Sequence, residues 1–139
     1  LGAASGMLEN YLNKNVTFIP VDYMKIRDDE VICDFNKYEF PDIDEDKKNC
    51  CIVMCGIIQY VKDWKWLLRK SGESADTIII SHNDIVRVNR DFRREKLTWN
   101  NAVFNHQIVL EMQKIGYKMV EAYDFQLRVV LMRFDKVGE

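Results

Sequence analysis

Two apolar runs joined by one amphipathic stretch constrain this chain more than any other feature. Residues 50–58, CCIVMCGII, are apolar almost without interruption, the pattern of a strand buried on both faces. Residues 75–86, ADTIIISHNDIV, read as a second buried strand that ends at polar Ser81, His82, Asn83 and Asp84. Between them, VKDWKWLLRKSG sets Trp64, Leu67 and Leu68 at helical spacing, with Gly72 as the expected stop. Strands alternating with crossover helices build a mainly parallel sheet. The fold class this implies is α/β.

The rest of the chain extends that unit. SGMLENYLNK places Met7, Leu8, Tyr11 and Leu12 at helical spacing. VTFIPVDYM is rich in β-branched and aromatic residues, and Pro20 marks an edge position or a local irregularity. After the turn RDDE, VICDF is another short strand, and the polar stretch NKYEFPDIDEDKKN is a loop. VNRDFRREKLTWN is irregular and basic. NNAVFNHQIVLEMQKIGYK then carries Val103, Phe104, Ile108, Met112 and Ile115 along one helical face, stopped by Gly116. MVEAYDF and LRVVLMRF, separated by a short polar turn, are antiparallel neighbours. With no repeat and no linker, residues 1–139 are expected to form a single domain.

Composition narrows the partners. A chain that is 47% hydrophobic and 30% charged is not disordered. A net charge of -2 offers no general attraction to nucleic acid or to an anionic membrane, so neither is expected. No apolar run approaches the ~20 residues of a membrane span. Cys33, Cys50, Cys51 and Cys55 lack the paired Cys-x-x-Cys or histidine companions of a metal site, so no metal is expected. They are expected to be buried, reduced thiols of a cytoplasmic protein.

Four features carry the chemistry. Gly2-x-Ala4-x-Gly6 precedes the first helix, where small residues admit a ligand close to the backbone and the helix start offers free N–H groups. Asp22 ends an apolar strand twenty positions beyond Gly2, the spacing of an acid that accepts from vicinal ribose hydroxyls. A solvated turn aspartate is the alternative. Asp34 follows the next strand and can accept from an amino group, with Phe35 packing beside a planar base. In doubly wound sheets the ligand crevice lies at the carboxyl ends of the strands, where both acids fall. The fourth feature is Gly56, which ends CIVMC and leads through Gln59 and Tyr60 into the helix.

In this order the four features resemble a class I, Rossmann-like S-adenosylmethionine-dependent methyltransferase entered partway through its first motif. LGAASG is similar to the family's D-x-G-x-G-x-G pattern from the residue after its acid, with Ala4 in place of the middle glycine. PVDYM resembles the second strand with its ribose acid, CDF the third with its adenine acid, and VMCGIIQYVKD the fourth-strand segment. LEMQKIGYKMVEAYDFQLRVVLMRF resembles the closing helix and antiparallel hairpin. The resemblance implies a mainly parallel sheet with helices on both faces, a C-terminal antiparallel hairpin and a missing first strand. It implies S-adenosylmethionine as cofactor, bound by Gly2, Ala4, Gly6, Asp22, Tyr23, Asp34, Phe35, Cys55 and Gly56. The implied reaction is methyl transfer to a small-molecule or sugar acceptor.

For an oxygen acceptor the candidate general base is His82, at the end of its strand on the ligand-facing edge. Its alternative is a structural cap of the strand, bonded to Asp84. His106, beside Phe104 within a helix, is read as structural. Arg87, Arg90, Arg93, Arg94 and Lys96 form a basic segment that either grips an anionic substrate or is a solvated face, partly neutralised by Asp91 and Glu95. Trp64, Trp66 and Trp99 are core or groove-edge residues. A nicotinamide-dependent oxidoreductase would share the glycine turn and ribose acid, but its G-x-G-x-x-G spacing is absent. A non-catalytic binding or partner subunit is the third class.

Overall fold

A computed structural model describes residues 1–3, 6–83, 99–125 and 129–138. Among the described residues, six strands run in chain order: β1 (Val21–Asp22), β2 (Val31–Ile32), β3 (Cys51–Cys55), β4 (Thr77–Asn83), β5 (Tyr117–Phe125) and β6 (Val129–Lys136). Helix α1 (Trp64–Ser74) joins β3 to β4, and α2 (Asn105–Lys114) precedes β5. Strands β1 and β2 pair in parallel as one two-stranded sheet. The other four have the order β3-β4-β6-β5, with β3 and β4 parallel and β6 antiparallel to both its neighbours. The chain is therefore α/β, with the parallel crossover and the terminal hairpin that the sequence implies.

Alternation along the strands builds the core. Ile52 and Met54 of β3 lie opposite Ile78 and Ile80 of β4, which lie opposite Phe134 and Met132 of β6. All six are buried, as are Leu67 and Leu68 of α1 and Ile108 and Met112 of α2. The apolar stripes of both helices thus pack into one core with these strands. Asp63 caps α1 by accepting from the Trp66 N–H at 3.0 Å. Glu111, 7% exposed on α2, ties the helices together through Arg69 of α1 at 3.5 Å and also pairs with Lys114 of its own helix at 3.2 Å.

Several expectations require correction. The helix expected over SGMLENYLNK is a 3-10 turn, Met7–Tyr11, with no buried residue. Its apolar spacing covers no surface in this structure, and short helices need that burial to offset nucleation. The strand expected over VTFIPVDYM shortens to two residues; Pro20 has no N–H to give and serves only as acceptor for the Val31 N–H at 2.9 Å. Gly72 does not end α1, which continues to Ser74. A Cβ there would lie 3.1 Å from the Tyr117 ring and 3.2 Å from Ile115, so the glycine permits close packing. β4, by contrast, ends at Asn83, within the polar stretch expected to close it. Of the thiols only Cys33 is buried; Cys51 and Cys55 are exposed and Cys50 is intermediate, because β3 turns just Ile52 and Met54 into the core.

Tyr117 locks α1 to β5. Its hydroxyl donates to the Ala75 carbonyl, with the Gly72 carbonyl oxygen at 3.1 Å, and the Lys136 ammonium lies 4.7 Å from the ring centroid. Burial, and then Asp76, push this phenol from 10.0 up to about 12. The folded chain therefore keeps a proton that the unfolded chain releases. That contribution is complete below the ordinary phenol value and disappears as pH rises toward about 12. Urea midpoints should fall over this alkaline range, and the fall should be shallower in Tyr117→Phe. At neutral pH the variant should be less stable by about 1 kcal/mol. Among the described residues, no helix is long and apolar enough to cross a membrane.

Candidate functional site

The site begins where parallel strands end. Asp22 is the last residue of β1, Asp34 lies two positions past β2, and Gly56 directly follows β3. The N-terminal residues bridge the two sheets at this edge. The Leu1 amino group donates to the Val53 carbonyl, and the Gly2 and Ala3 N–H groups donate to the Val21 carbonyl at 2.8 and 3.1 Å. Gly2 has a φ of +67, and a Cβ there would lie 3.0 Å from Ile57 Cδ1. Its backbone therefore packs directly on the turn leaving β3. Gly2, Asp22, Cys55 and Gly56 share this edge.

Gly6 is buried with a φ of +69, and a Cβ on it would strike the Arg27 guanidinium at 2.2 Å. That guanidinium is held by Glu9 at 2.8 Å and by both oxygens of Asp29, at 2.9 and 2.8 Å. Asp29 and Glu9 hold its pKa above the usual arginine value. Arg27 thus fastens the glycine turn to the β1–β2 connection. Sequence reading passed over it as part of an ordinary polar turn. Ala4 lies outside the described residues, as do Asp84 and the basic cluster of Arg87, Arg90, Arg93, Arg94 and Lys96.

Asp22 is 8% exposed and its carboxylate accepts the Tyr23 N–H at 2.7 Å, while Tyr23 is exposed. Asp34 caps a short 3-10 turn by accepting the Asn36 N–H at 3.0 Å, and its other oxygen lies 3.4 Å from Lys37. Phe35 is buried, its ring 6.4 Å from that of Phe40. Asn36 connects this turn to the β3 exit: its amide donates to the Tyr60 carbonyl at 3.1 Å, and its oxygen accepts the Lys62 N–H at 2.8 Å. Asp34 and the β3 exit are thereby joined through one asparagine.

The β3 exit is itself tightly held. Gly56, with a φ of +60, donates its N–H to the Ser81 carbonyl at 3.0 Å and to Ser81 Oγ at 3.1 Å. The turn Ile58–Tyr60 follows, and residues forty positions away clamp it. Asn100 and Asn101 donate backbone N–H groups to the Gln59 carbonyl at 2.8 and 3.3 Å. Their side chains donate to the carbonyls of Tyr60, Ile58 and Val61. Sequence reading missed this clamp, and the dipeptide Asn100-Asn101 carries no signal of it.

His82 is 1% exposed, and its Nε2 lies 2.9 Å from the Val103 carbonyl, tying β4 to the segment ahead of α2. His106 is exposed and stacks on Phe104 at 5.5 Å. Burial and then Glu39 push the Cys33 thiol up, away from a reactive thiolate. Among the described residues, no three His, Cys, Asp or Glu side chains gather as metal ligands.

The sequence matches no protein-family model and no curated protein. Solved structures resemble the whole architecture. A putative methyltransferase in complex with the Haloferax volcanii Trm112 methyltransferase activator superposes with a TM-score of 0.72 at 12% identity, over 99% of this chain and 80% of that one. LepI in complex with SAM gives 0.64 at 12% identity, over 99% and 42%. Magnesium protoporphyrin IX methyltransferase from Synechocystis PCC 6803 with bound SAH gives 0.56 at 8% identity, over 78% and 51%. This chain thus spans about half of the last of these and less of LepI. At such identities the likeness speaks for the fold.

Proposed function

We propose that this chain, which has the fold of the class I S-adenosylmethionine-dependent methyltransferases, binds S-adenosylmethionine and directs its methyl group to a small-molecule or sugar acceptor. One observation carries the reading. Asp22, 8% exposed at the last residue of β1, lies beside Gly2, whose backbone bonds to Val21 and packs on Ile57. A buried carboxylate beside a glycine turn at the carboxyl edge suits a ribose diol. The bound cofactor supplies a methyl group on a sulfonium, open to direct displacement. The chain's task is then to align the acceptor and exclude water.

In this reading Gly2, Gly6 and, by its place in the motif, Ala4 admit the cofactor to the backbone. Asp22 and Tyr23 hold the ribose, Asp34 and Phe35 flank the adenine, and Cys55 and Gly56 lie beneath the methyl group. His82 orients the segment at Val103 through its 2.9 Å contact. Residues 1–139 act as one domain in the cytoplasm, with free thiols and without nucleic-acid or membrane partners. A second reading, a subunit that keeps the site but works with a partner, draws on the Haloferax likeness, since that protein is described with an activator.

Calorimetry with S-adenosylhomocysteine and with reduced nicotinamide adenine dinucleotide separates the cofactor classes. Binding of the first and not the second is expected; the converse result overturns the reading. Release of S-adenosylhomocysteine from S-adenosylmethionine, by this chain alone or only with an added partner, separates enzyme from subunit.

A further inference from the structure

Two uncovered apolar surfaces of this chain match one another. The first is a stripe in the sequence. On a helix over residues 7–14, Met7, Leu8, Tyr11 and Leu12 would share one side, with Glu9, Asn10, Asn13 and Lys14 on the other. In the structure Met7–Tyr11 is instead a 3-10 turn without a buried residue, and Tyr11 is 82% exposed. The second surface is a sheet face. Ile52 and Met54 of β3, with Ile78 and Ile80 of β4, share one core with α1 and α2. Alternation turns Cys51, Val53 and Cys55, paired with Thr77, Ile79 and Ser81, to the other face. Both of these cysteines are exposed, and Val53 is only half-buried.

The topology brings both to one side. Residues 1–3 bridge β1 to β3, so the step from β1 to β2 and the step from β3 to β4 run in opposite directions across the layer. Right-handed crossovers then place the β1–β2 connection and α1 on opposite faces. Arg27 belongs to that connection; it holds Glu9 at 2.8 Å and fills the space beside Gly6. The start of the 7–14 segment is therefore fastened on the side that carries Cys51 and Cys55. A helix over residues 7–14 is about 12 Å long, against about 13 Å from Cys51 to Cys55 along β3. Residues 15–20 then span up to about 20 Å, enough to return to β1.

We infer that residues 7–14 are a closing segment, which folds into a helix against the Cys51, Val53 and Cys55 face when the cofactor occupies the glycine turn. This rests on the methyl-transfer reading and adds a conformational step to it. A short helix forms only where burial offsets the cost of nucleation. A cofactor lying along Gly2–Gly6 immobilises the residues at which the helix starts, and so removes part of that cost. Closure buries the stripe and excludes water from the floor beside Cys55 and Gly56.

The test follows maleimide labelling of Cys51 in the full chain by peptide mass spectrometry, with and without saturating S-adenosylhomocysteine. Cys51 starts β3, at the opposite end from the cofactor edge, so a bound ligand does not itself cover it. A shift to about 90% closed should slow labelling about tenfold. Tyr11→Asp puts a charge into the stripe at a residue 82% exposed, so the thermal midpoint should hold while the slowing is lost. Asn10→Ala, on the polar side and with higher helix propensity, should keep or deepen the slowing. Amide exchange at Lys14, whose N–H bonds to the Asn10 carbonyl in the helix, should slow together with labelling. Calorimetry records binding separately. If S-adenosylhomocysteine binds while Cys51 labelling is unchanged, or if Tyr11→Asp keeps the slowing, the inference is overturned and the cofactor reading stands. Failure of the unsubstituted chain to bind S-adenosylhomocysteine overturns both.

Discussion

Asp22→Ala is expected to weaken S-adenosylhomocysteine binding by more than tenfold while the chain remains folded. The residue is 8% exposed and its carboxylate already accepts the Tyr23 N–H at 2.7 Å, so it is oriented before any ligand arrives. Hydrogen bonds from a ribose diol to a charged acceptor are worth about 1.5–3 kcal/mol, and a tenfold change in affinity corresponds to about 1.4 kcal/mol. Asp22→Asn separates charge from geometry: its amide oxygen still accepts from Tyr23, and its affinity should fall between those of the parent and Asp22→Ala. Calorimetric titration of the three proteins, with thermal midpoints alongside, makes the measurement. Unchanged affinity in Asp22→Ala would remove Asp22 from the ribose role.

The largest stability effect should come from Phe134→Ala. Phe134 is fully buried on β6, opposite Ile78 on one side and Met119 on the other. Truncating it removes an aromatic ring at the junction of the crossover and the hairpin and leaves a cavity lined by stiff neighbours. Such truncations cost about 3–5 kcal/mol, against a total stability of about 5–15 kcal/mol for a domain. Urea unfolding should show a large drop in midpoint with little change in slope. Leu110→Ala, on the exposed side of α2 at 53% exposure, should change stability by less than about 0.5 kcal/mol. Comparable effects at the two positions would contradict a core centred on β4 and β6.

The parallel crossover and the hairpin were legible because their signals are local. Continuous apolar runs, a helical stripe and the stop at Gly116, whose φ is +83, each report on a few neighbouring residues. Element lengths were less legible. Met7, Leu8 and Tyr11 have the spacing of an amphipathic helix, but each is exposed, and only a covering surface would distinguish the two outcomes. Cys51 and Cys55 read as buried for the same reason: an apolar run does not say how many of its faces are covered.

By itself the sequence determined the α/β class, the order of elements from β3 through α1 and β4 and from α2 through the hairpin, and the placement of Asp22, Asp34 and Gly56 at or just past strand ends. Periodicity and turn chemistry act within a few residues, so a linear reading reaches them. The tertiary structure alone decided that Gly2 packs on Ile57, that Arg27 fills the space beside Gly6, and that Asn36, Asn100 and Asn101 lock the turn around Gln59. Each of these contacts joins residues far apart in the chain. Whether an apolar stripe is covered depends on every group around it, which no single stretch of sequence contains.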